Sequence, residues 1–338
     1  MHAMRYIHYI YIVAIAFLLQ GCHRESHPNN PDAGVYAISM APTSVSASRA
    51  LINDLTDLQK TGFVVYGHST AGDNKQQVFD GDNVTYDTGE GAWGYADEDT
   101  ELRYWNAAAN YCFGAYAPQM ENVDVTETET DDIITSLSIP LPQWQQVDGS
   151  ETDLIVATSQ KAAEDYLMAG GTVNLDFSHV YAQLTVEIVR NAFLRNEYRL
   201  RSLAYKDVPA SGNGSYTLDY TAPKNSGVDV AMETDSVVIR PYAEEGVLVE
   251  NEVTEATRFK YMVVPFDAQR AEGFRITLRY TNNGTEHYAV VNSGLTALEA
   301  GCSYTLRLSF DNGADILPTV ELQKWTSEDT SDDEMFNW

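Results

Sequence analysis

Short stretches of alternating apolar and polar residues recur along most of this chain. β-Branched and aromatic residues form compact runs, such as Phe63–Tyr66 and Tyr111–Tyr116, and glycine or aspartate separates one run from the next. Strands this short, at regular intervals, are typical of a sandwich or barrel. The clearest hairpin joins Ile276–Tyr280 to Tyr288–Val290 through an Asn-Gly pair, which favours the positive φ angles of a tight turn. The pattern therefore predicts an all-β fold.

One segment in the middle of the chain is the best candidate for a helix. Ser159–Met168 ends at Gly170 and Gly171, which suits a helix C-cap. Alternation resumes at Val173, and a second group of strands continues to Leu322. The length of 338 residues also fits about two domains. We therefore predict two β-domains joined by a short helix.

The start of the chain is typical of an export signal. The apolar run Ile10–Leu19 is too short to span a bilayer, which takes about 20 residues, but it fits the core of a signal peptide. The run leads into Leu19-Gln20-Gly21-Cys22, whose spacing resembles a bacterial lipobox. Cys22 would then carry lipid as the first residue of the mature chain. An ordinary cleaved signal with an incidental cysteine is the alternative.

The charge of the chain excludes several classes of function. It has 21 Lys and Arg residues against 49 Asp and Glu residues, a net charge of −28. Binding of nucleic-acid phosphates needs clustered Lys and Arg, and a polybasic membrane anchor needs the same. We therefore expect no nucleic-acid partner.

No short motif makes a positive case for catalysis. Gly67-His68-Ser69 superficially resembles a nucleophile elbow, but the polar residues that follow offer no helix, which the elbow requires. An esterase would need His68, His179 or His287 within hydrogen-bond reach of Ser69. The dispersed histidines have no metal-ligand spacing. We therefore predict no enzyme, no cofactor and no metal site.

Two cysteines remain besides Cys22, namely Cys112 and Cys302. They fall in different predicted domains, so a disulfide between them would have to bridge the domains. Buried free thiols are the favoured alternative.

The order of features along residues 22–325 resembles the fimbrillin family, the subunits of type V pili in the Mfa-like group. The features that carry the resemblance are the lipobox at Cys22, Arg49-Ala50, Phe63–Gly67, Trp93, Tyr104-Trp105, Tyr111–Pro118, Asp153–Ala157, Val173–Leu184, Val263–Pro265, Gly301–Tyr304 and Trp325.

The resemblance implies two tandem transthyretin-like β-sandwich domains behind a lipoprotein signal peptide. It also implies a precursor at the cell surface, anchored in the outer membrane, that an Arg-specific protease cuts between Arg49 and Ala50. The expected organisation is a signal peptide over 1–21, a tether and removable first strand over 22–49, an N-terminal sandwich over 50–168, a C-terminal sandwich over 169–326 and an acidic tail over 327–338.

The resemblance further implies how such subunits form a fimbrium. Removal of the first strand would leave an apolar groove beside unpaired backbone groups, which a strand of the next subunit fills. Head-to-tail contact of this kind produces a filament. The expected donor is Val320–Trp325 or Met335–Trp338. The expected partners are other fimbrillin subunits, a host or microbial surface ligand and the outer membrane, and the role as stalk, tip or anchor stays open.

A surface glycan-binding lipoprotein without a pilus role is the alternative function. Aromatic side chains stack on sugar rings, and four of them are close together in the sequence: Trp93, Tyr95, Tyr104 and Trp105. The hypothesis fails if these rings are buried and gains support if three or more of them line one exposed face.

Overall fold

A computed structural model gives the fold of most of the chain after residue 35. The described residues are 36–45, 52, 54–95, 102–120, 124–142, 145–146, 153–232, 237–241, 245–251, 256–311 and 315–324. Strands dominate these ranges, so the prediction of an all-β fold is confirmed. No helix within them has the length and apolar character needed to cross a membrane.

The secondary structure is numbered in chain order. The strands up to residue 179 are β1 (Ser39–Val45), β2 (Phe63–Ala71), β3 (Asn74–Asp87), β4 (Ala92–Tyr95), β5 (Asn110–Ala117), β6 (Thr126–Thr130), β7 (Ile133–Leu141), β8 (Gln145–Gln146), β9 (Ile155–Ala162) and β10 (Thr172–His179). The later strands are β11 (Ala182–Arg190), β12 (Tyr198–Lys206), β13 (Pro209–Asp219), β14 (Gly227–Met232), β15 (Val237–Pro241), β16 (Val247–Leu248), β17 (Thr257–Val263), β18 (Phe266–Asp267), β19 (Arg275–Asn282), β20 (Thr285–Asn292), β21 (Ala297–Leu298), β22 (Cys302–Asp311) and β23 (Asp315–Lys324). The helices are α1 (Leu55–Thr61), α2 (Ala163–Met168) and a 3₁₀ turn at Pro223–Asn225.

The first sheet curls around its own apolar interior. Its described strands have the order β1-β10-β9-β5-β2-β3-β4. The two ends of the sheet approach each other, because the hydroxyl of Tyr95 on β4 donates to the carbonyl oxygen of Ile38 just before β1, at 2.7 Å. Buried rings fill the interior, among them Phe63, Phe79 and Phe113.

A second sheet, β14-β13-β7-β6, covers the opposite face of the first. The two sheets come into close contact at Gly114 on β5, where the ring of Tyr220 lies. A Cβ atom at Gly114 would be 2.6 Å from Cδ1 of Tyr220, so this position requires glycine. β6 and β7 precede β13 and β14 by a long stretch of chain, so this sheet combines strands from both halves of the sequence.

The remaining large sheets face each other across a third core. One has the order β23-β22-β11-β17-β8 and the other β15-β12-β19-β20, with β16 beside β12. The core between them is rich in fully buried tyrosine and phenylalanine, including Tyr198, Tyr261 and Phe310. The predicted hairpin is confirmed as β19–β20, with positive φ at Asn283 (48°) and Gly284 (83°).

Two elements lie differently from the sequence expectation. The predicted helix over 159–168 is shorter, because residues up to Ala162 continue β9 and pair with β5, which leaves only α2. β10 pairs with β1 and β9 in the first sheet, although residues 169–326 were expected to form the C-terminal sandwich. The alternation of β10 resembles that of the later strands, so only its pairing with β1 and β9 shows which sheet it belongs to.

Candidate functional site

β1 forms one edge of the first sheet. Among the described strands its ladder runs to β10 alone, in parallel, from Ser39 opposite Thr172 to Val45 opposite Phe177. The register shifts after Pro42. Proline lacks the N–H that a ladder uses, and it is confined to edge strands and bulges. β1 is therefore held on one side by a single, interrupted parallel ladder.

The inward side chains of this segment are part of the core. Ile38, Met40 and Val45 are 2%, 4% and 6% exposed, and they belong to the same cluster as Leu175 and Phe177 of β10. Burial of an aliphatic side chain of this size contributes about 1.5–3 kcal/mol as an upper estimate. The apolar face alone therefore stabilises the docked strand by several kcal/mol.

The outward side of β1 is fastened by a polar latch, formed by Thr43, Ser44 and Asp176. The hydroxyls of Thr43 and Ser44 both donate to Oδ1 of Asp176 on β10, at 2.5 and 2.8 Å. These hydrogen bonds, with a smaller contribution from the charge of Lys161, hold the pKa of Asp176 below its usual value. An ionised carboxylate thus fixes the end of β1.

The residues just before β1 are hydrogen-bonded to another segment, residues 103–105. The backbone N–H of Ile38 donates to the carbonyl of Arg103 at 2.7 Å, and that of Trp105 donates to the carbonyl of Tyr36 at 3.2 Å. The guanidinium of Arg103 pairs with Asp82 at 3.1 Å and so ties this loop to β3. Residues 36–38 are therefore tied to the 103–105 segment, whereas among the described strands β1 itself pairs with β10 alone.

The predicted processing residues fall beside this strand in the sequence. Cys22, Arg49 and Ala50 lie outside the described residues. The described chain ends before Arg49 at Val45, the last residue of β1, and resumes at the buried Ile52. A cut at Arg49 would thus fall in the short connection between β1 and α1.

The predicted donor segments lie at the other end of the chain. Residues 320–324 belong to β23, which pairs antiparallel with β22 along its whole length, from Asp315 opposite Asp311 to Lys324 opposite Cys302. Trp325 and Met335–Trp338 lie outside the described residues. The described part of one donor candidate is therefore already paired within its own sheet.

The four aromatic residues that could stack on sugars do not form an exposed platform. Tyr104 is 38% exposed, whereas Trp105 is buried at 8%. Trp93 packs between Phe63 and Tyr86, with ring centroids 5.3 Å from each. Trp93 and Trp105 are packed among other rings, so three of the four do not line one exposed face and the glycan hypothesis gains no support.

Ser69 lies in a strand without a catalytic partner among the described residues. It is buried on β2, and no hydrogen bond joins its hydroxyl to a histidine there. His179 instead contacts Asp153 at 3.0 Å in a fully buried pair, and His287 stacks on Tyr280. The described residues also include no group of three potential metal ligands.

The two cysteines are buried on β5 and β22 and form no disulfide, as the sequence favoured. Burial raises the pKa of the Cys112 thiol to about 11, and a hydrogen bond with Gln160 opposes this only partly. The thiol is therefore protonated and unreactive at neutral pH.

The protein is an all-β protein of curled and facing sheets, in which β1 lies along one edge of the first sheet. The sequence pattern of the fimbrillin-like family matches residues 48–325, most of the chain, and the chain belongs to this family. The resemblance found in the sequence is thereby confirmed. No curated protein matches the chain.

Solved structures share the fold. A fimbrial protein from Bacteroides vulgatus is similar with a TM-score of 0.50 and 13% identity, over 86% of this chain and 99% of that chain. A proposed cell adhesion protein from Bacteroides ovatus is similar with a TM-score of 0.52 and 13% identity, over 88% of this chain and 100% of that chain. At such low identity these similarities concern the fold alone.

Proposed function

We propose that this chain is a fimbrial subunit, exported as an outer-membrane lipoprotein on Cys22 and assembled by strand exchange after cleavage between Arg49 and Ala50. The observation that carries the proposal is the state of β1. It is well packed through its apolar face, yet among the described strands its backbone pairs with β10 alone.

Cleavage after Arg49 would leave β1 bound by non-covalent contacts. Its departure would uncover the backbone groups of β10 over Thr172–Phe177 and the pockets that Met40 and Val45 fill. An unpaired edge of this kind readily accepts another strand. A strand from a second subunit with the same alternation would restore both the ladder and the burial.

The two donor candidates differ in the strand pairing that each would have to break. To donate, Val320–Trp325 would have to leave its antiparallel ladder with β22, which includes every described residue of β23. Met335–Trp338 would break no described pairing. The role of the subunit as stalk, tip or anchor depends on whether both cleavage and donation occur.

The test combines proteolysis with a competing peptide. An Arg-specific protease is added in trace amounts, intact mass identifies the cut, and electron microscopy scores rods. We expect one early cut after Arg49, loss of residues 22–49 and rod formation, all abolished in Arg49→Gln. A peptide with the sequence of residues 36–45 should block rods, whereas a scrambled peptide should not.

Three results would count against parts of this proposal. Rods that form equally well from Arg49→Gln, or in excess 36–45 peptide, would contradict strand exchange at β10. A clean cut without rods would favour an accessory subunit. Resistance at Arg49 would contradict a polymerising role and favour an anchor that keeps its first strand.

A further inference from the structure

β20 lies at one edge of the sheet β15-β12-β19-β20. Its ladder with β19 is antiparallel and runs without a register shift, from Asn282 opposite Thr285 to Arg275 opposite Asn292. Among the described strands no other pairs with β20, although β23 of the facing sheet packs beside it. A regular strand at a sheet edge is a template for the pairing of a further strand.

Several other edge strands of the described sheets carry features that oppose such pairing. Pro42 interrupts β1, Pro318 lies within β23, and β15 ends at Pro241. β6 alternates threonine with glutamate and has a register shift. Proline, charge and bulges are the usual protection of an edge. β20 contains no proline, lysine or glycine and no bulge, so its edge is less protected than these.

The backbone groups that face the open side of β20 belong to its even-numbered residues. The N–H of Ser293, just after β20, donates to the carbonyl of Phe274 at 2.8 Å. Hydrogen-bonded pairs alternate along an antiparallel ladder, so the odd-numbered residues of β20 bond to β19. The residues whose N–H and C=O groups point to the open side are Glu286, Tyr288, Val290 and Asn292.

The side chains of these four residues lie on the outer face of the sheet. Tyr288 and Val290 are 68% and 65% exposed, whereas Val291 on the other face is buried in the core. The strand therefore combines unpaired backbone groups with an exposed aromatic side chain next to an exposed β-branched one. Both features favour an added strand over solvent.

A second copy of β20 fits this edge. On a two-fold axis beside Ala289, an antiparallel copy brings Tyr288 opposite Val290 of the second copy, and Val290 opposite the second Tyr288. Glu286 then lies opposite Asn292 of the second copy. Aromatic and β-branched residues form favourable cross-strand pairs, and no like charges are directly opposite in this register. We propose that two copies of this chain associate edge to edge through β20 in this register.

The register is determined by the backbone and by the faces of the strand. Residues that lie directly opposite must point to the same face, which excludes shifts that pair odd with even positions. An axis beside Tyr288 would leave Asn292 beyond the end of the partner strand, and an axis beside Val290 would leave Glu286 there. Only the axis beside Ala289 pairs all of the even-numbered residues of β20, each exchanging both backbone hydrogen bonds with its opposite residue.

This association would join the sheet β15-β12-β19-β20 to the same sheet of the second copy. The contact is closed, because the two-fold axis uses the same strand on both copies. A pairing of one strand is small, so the dimer should form and dissociate readily. The inference does not rest on the proposed function, since β20 lies in a different sheet from β1 and needs no cleavage.

Cysteine cross-linking in the full chain with Cys22→Ser tests the register. At a non-hydrogen-bonded antiparallel pair the Cα atoms are about 4.5 Å apart, which a disulfide can span. Ala289→Cys places a thiol at such a pair with its own copy, so mild oxidation should give a covalent dimer that a reducing agent dissociates. His287→Cys is the matched control on the same strand and face. Its own copy is four residues away, about 13 Å along the strand, so it should stay monomeric.

Sedimentation velocity over a range of protein concentrations measures the association without a cross-link. Val290→Glu should weaken dimerisation about tenfold or more, because the two-fold axis removes the Tyr–Val pair twice and places the new carboxylates near Glu286 of the other copy. Leu248→Glu is the matched control, at a 38% exposed apolar residue on β16 of the same sheet. Circular dichroism verifies that both variants are folded.

Three results would overturn the proposal. They are a monomer at every concentration, equal disulfide yields from Ala289→Cys and His287→Cys, and dimerisation that Val290→Glu leaves unchanged. The uncleaved chain is used throughout, so the outcome is independent of strand exchange at β10.

Discussion

Asp176→Ala should loosen β1 without unfolding the protein. The substitution removes the acceptor of the polar latch, so the hydroxyls of Thr43 and Ser44 lose their common partner. The apolar side of β1 stays unchanged, because Asp176 points away from the core and its neighbours Leu175 and Phe177 supply the buried contacts.

The size of the effect follows from the two hydrogen bonds. A hydrogen bond to a charged group contributes about 1.5–3 kcal/mol when well buried. The carboxylate of Asp176 is mostly exposed, and solvent screening reduces that contribution. We therefore expect a loss of about 1–2 kcal/mol from the docked state of β1, which multiplies the population of the undocked state by about 5–30.

Hydrogen–deuterium exchange of the peptide that covers residues 36–45 measures this population. In the variant its exchange should accelerate by that factor, while peptides from β22 and β11 keep their rates. Asp229→Ala, at an exposed aspartate on β14, is the matched control and should leave the 36–45 peptide unchanged. Equal rates in wild type and Asp176→Ala, or uniform acceleration across the protein, would refute the latch.

The remaining predictions concern the same latch and two buried positions. The pKa of Asp176 is lowered in the folded protein, so its stabilisation of docked β1 is complete above the unfolded carboxyl pKa of about 3.9 and is lost as pH falls through the folded pKa. The difference in the exchange rate of the 36–45 peptide between wild type and Asp176→Ala should therefore vanish in acid. Gly114→Ala should lower the free energy of unfolding, measured with denaturant, by about 1–3 kcal/mol, because it forces a Cβ against Tyr220. Gly94→Ala is the control: no atom lies within 4 Å of its Cβ position, so its free energy of unfolding should be unchanged or slightly higher. Cys112 should resist thiol labelling at pH 8 in the folded protein and react on unfolding, as peptide mass mapping would show.

Local signals were enough to predict the strands and the main hairpin. Compact runs of β-branched and aromatic residues identified β2 and β5, which are buried on both faces, and alternation identified β22. α1 was missed, although Asp54 caps its first turn and Gly62 follows its last. Seven residues give too little helical periodicity to compete with the surrounding strand pattern.

Long-range pairing could not be read from local patterns. Ser39 pairs with Thr172 across more than a hundred residues, and Leu137 on β7 pairs with Leu218 on β13. Parallel partners share no turn that would bring them together. The polar latch was hidden for the same reason, since Asp176 occupies an outward position that resembles any solvated strand residue until Thr43 and Ser44 are placed beside it.

In β1 the apolar side chains provide most of the binding free energy, and the polar latch provides the specificity for this strand. Its apolar side chains provide most of the binding free energy, and any strand with suitable alternation could supply the same burial. The latch is specific, because it needs two hydroxyls at the positions of Thr43, within the register shift, and Ser44, just after it. A replacement strand without those hydroxyls would fill the groove but leave the Asp176 carboxylate to water. Exchange at this edge would therefore be governed by the apolar pockets of β10, with the latch favouring the chain's own strand until cleavage removes its covalent connection.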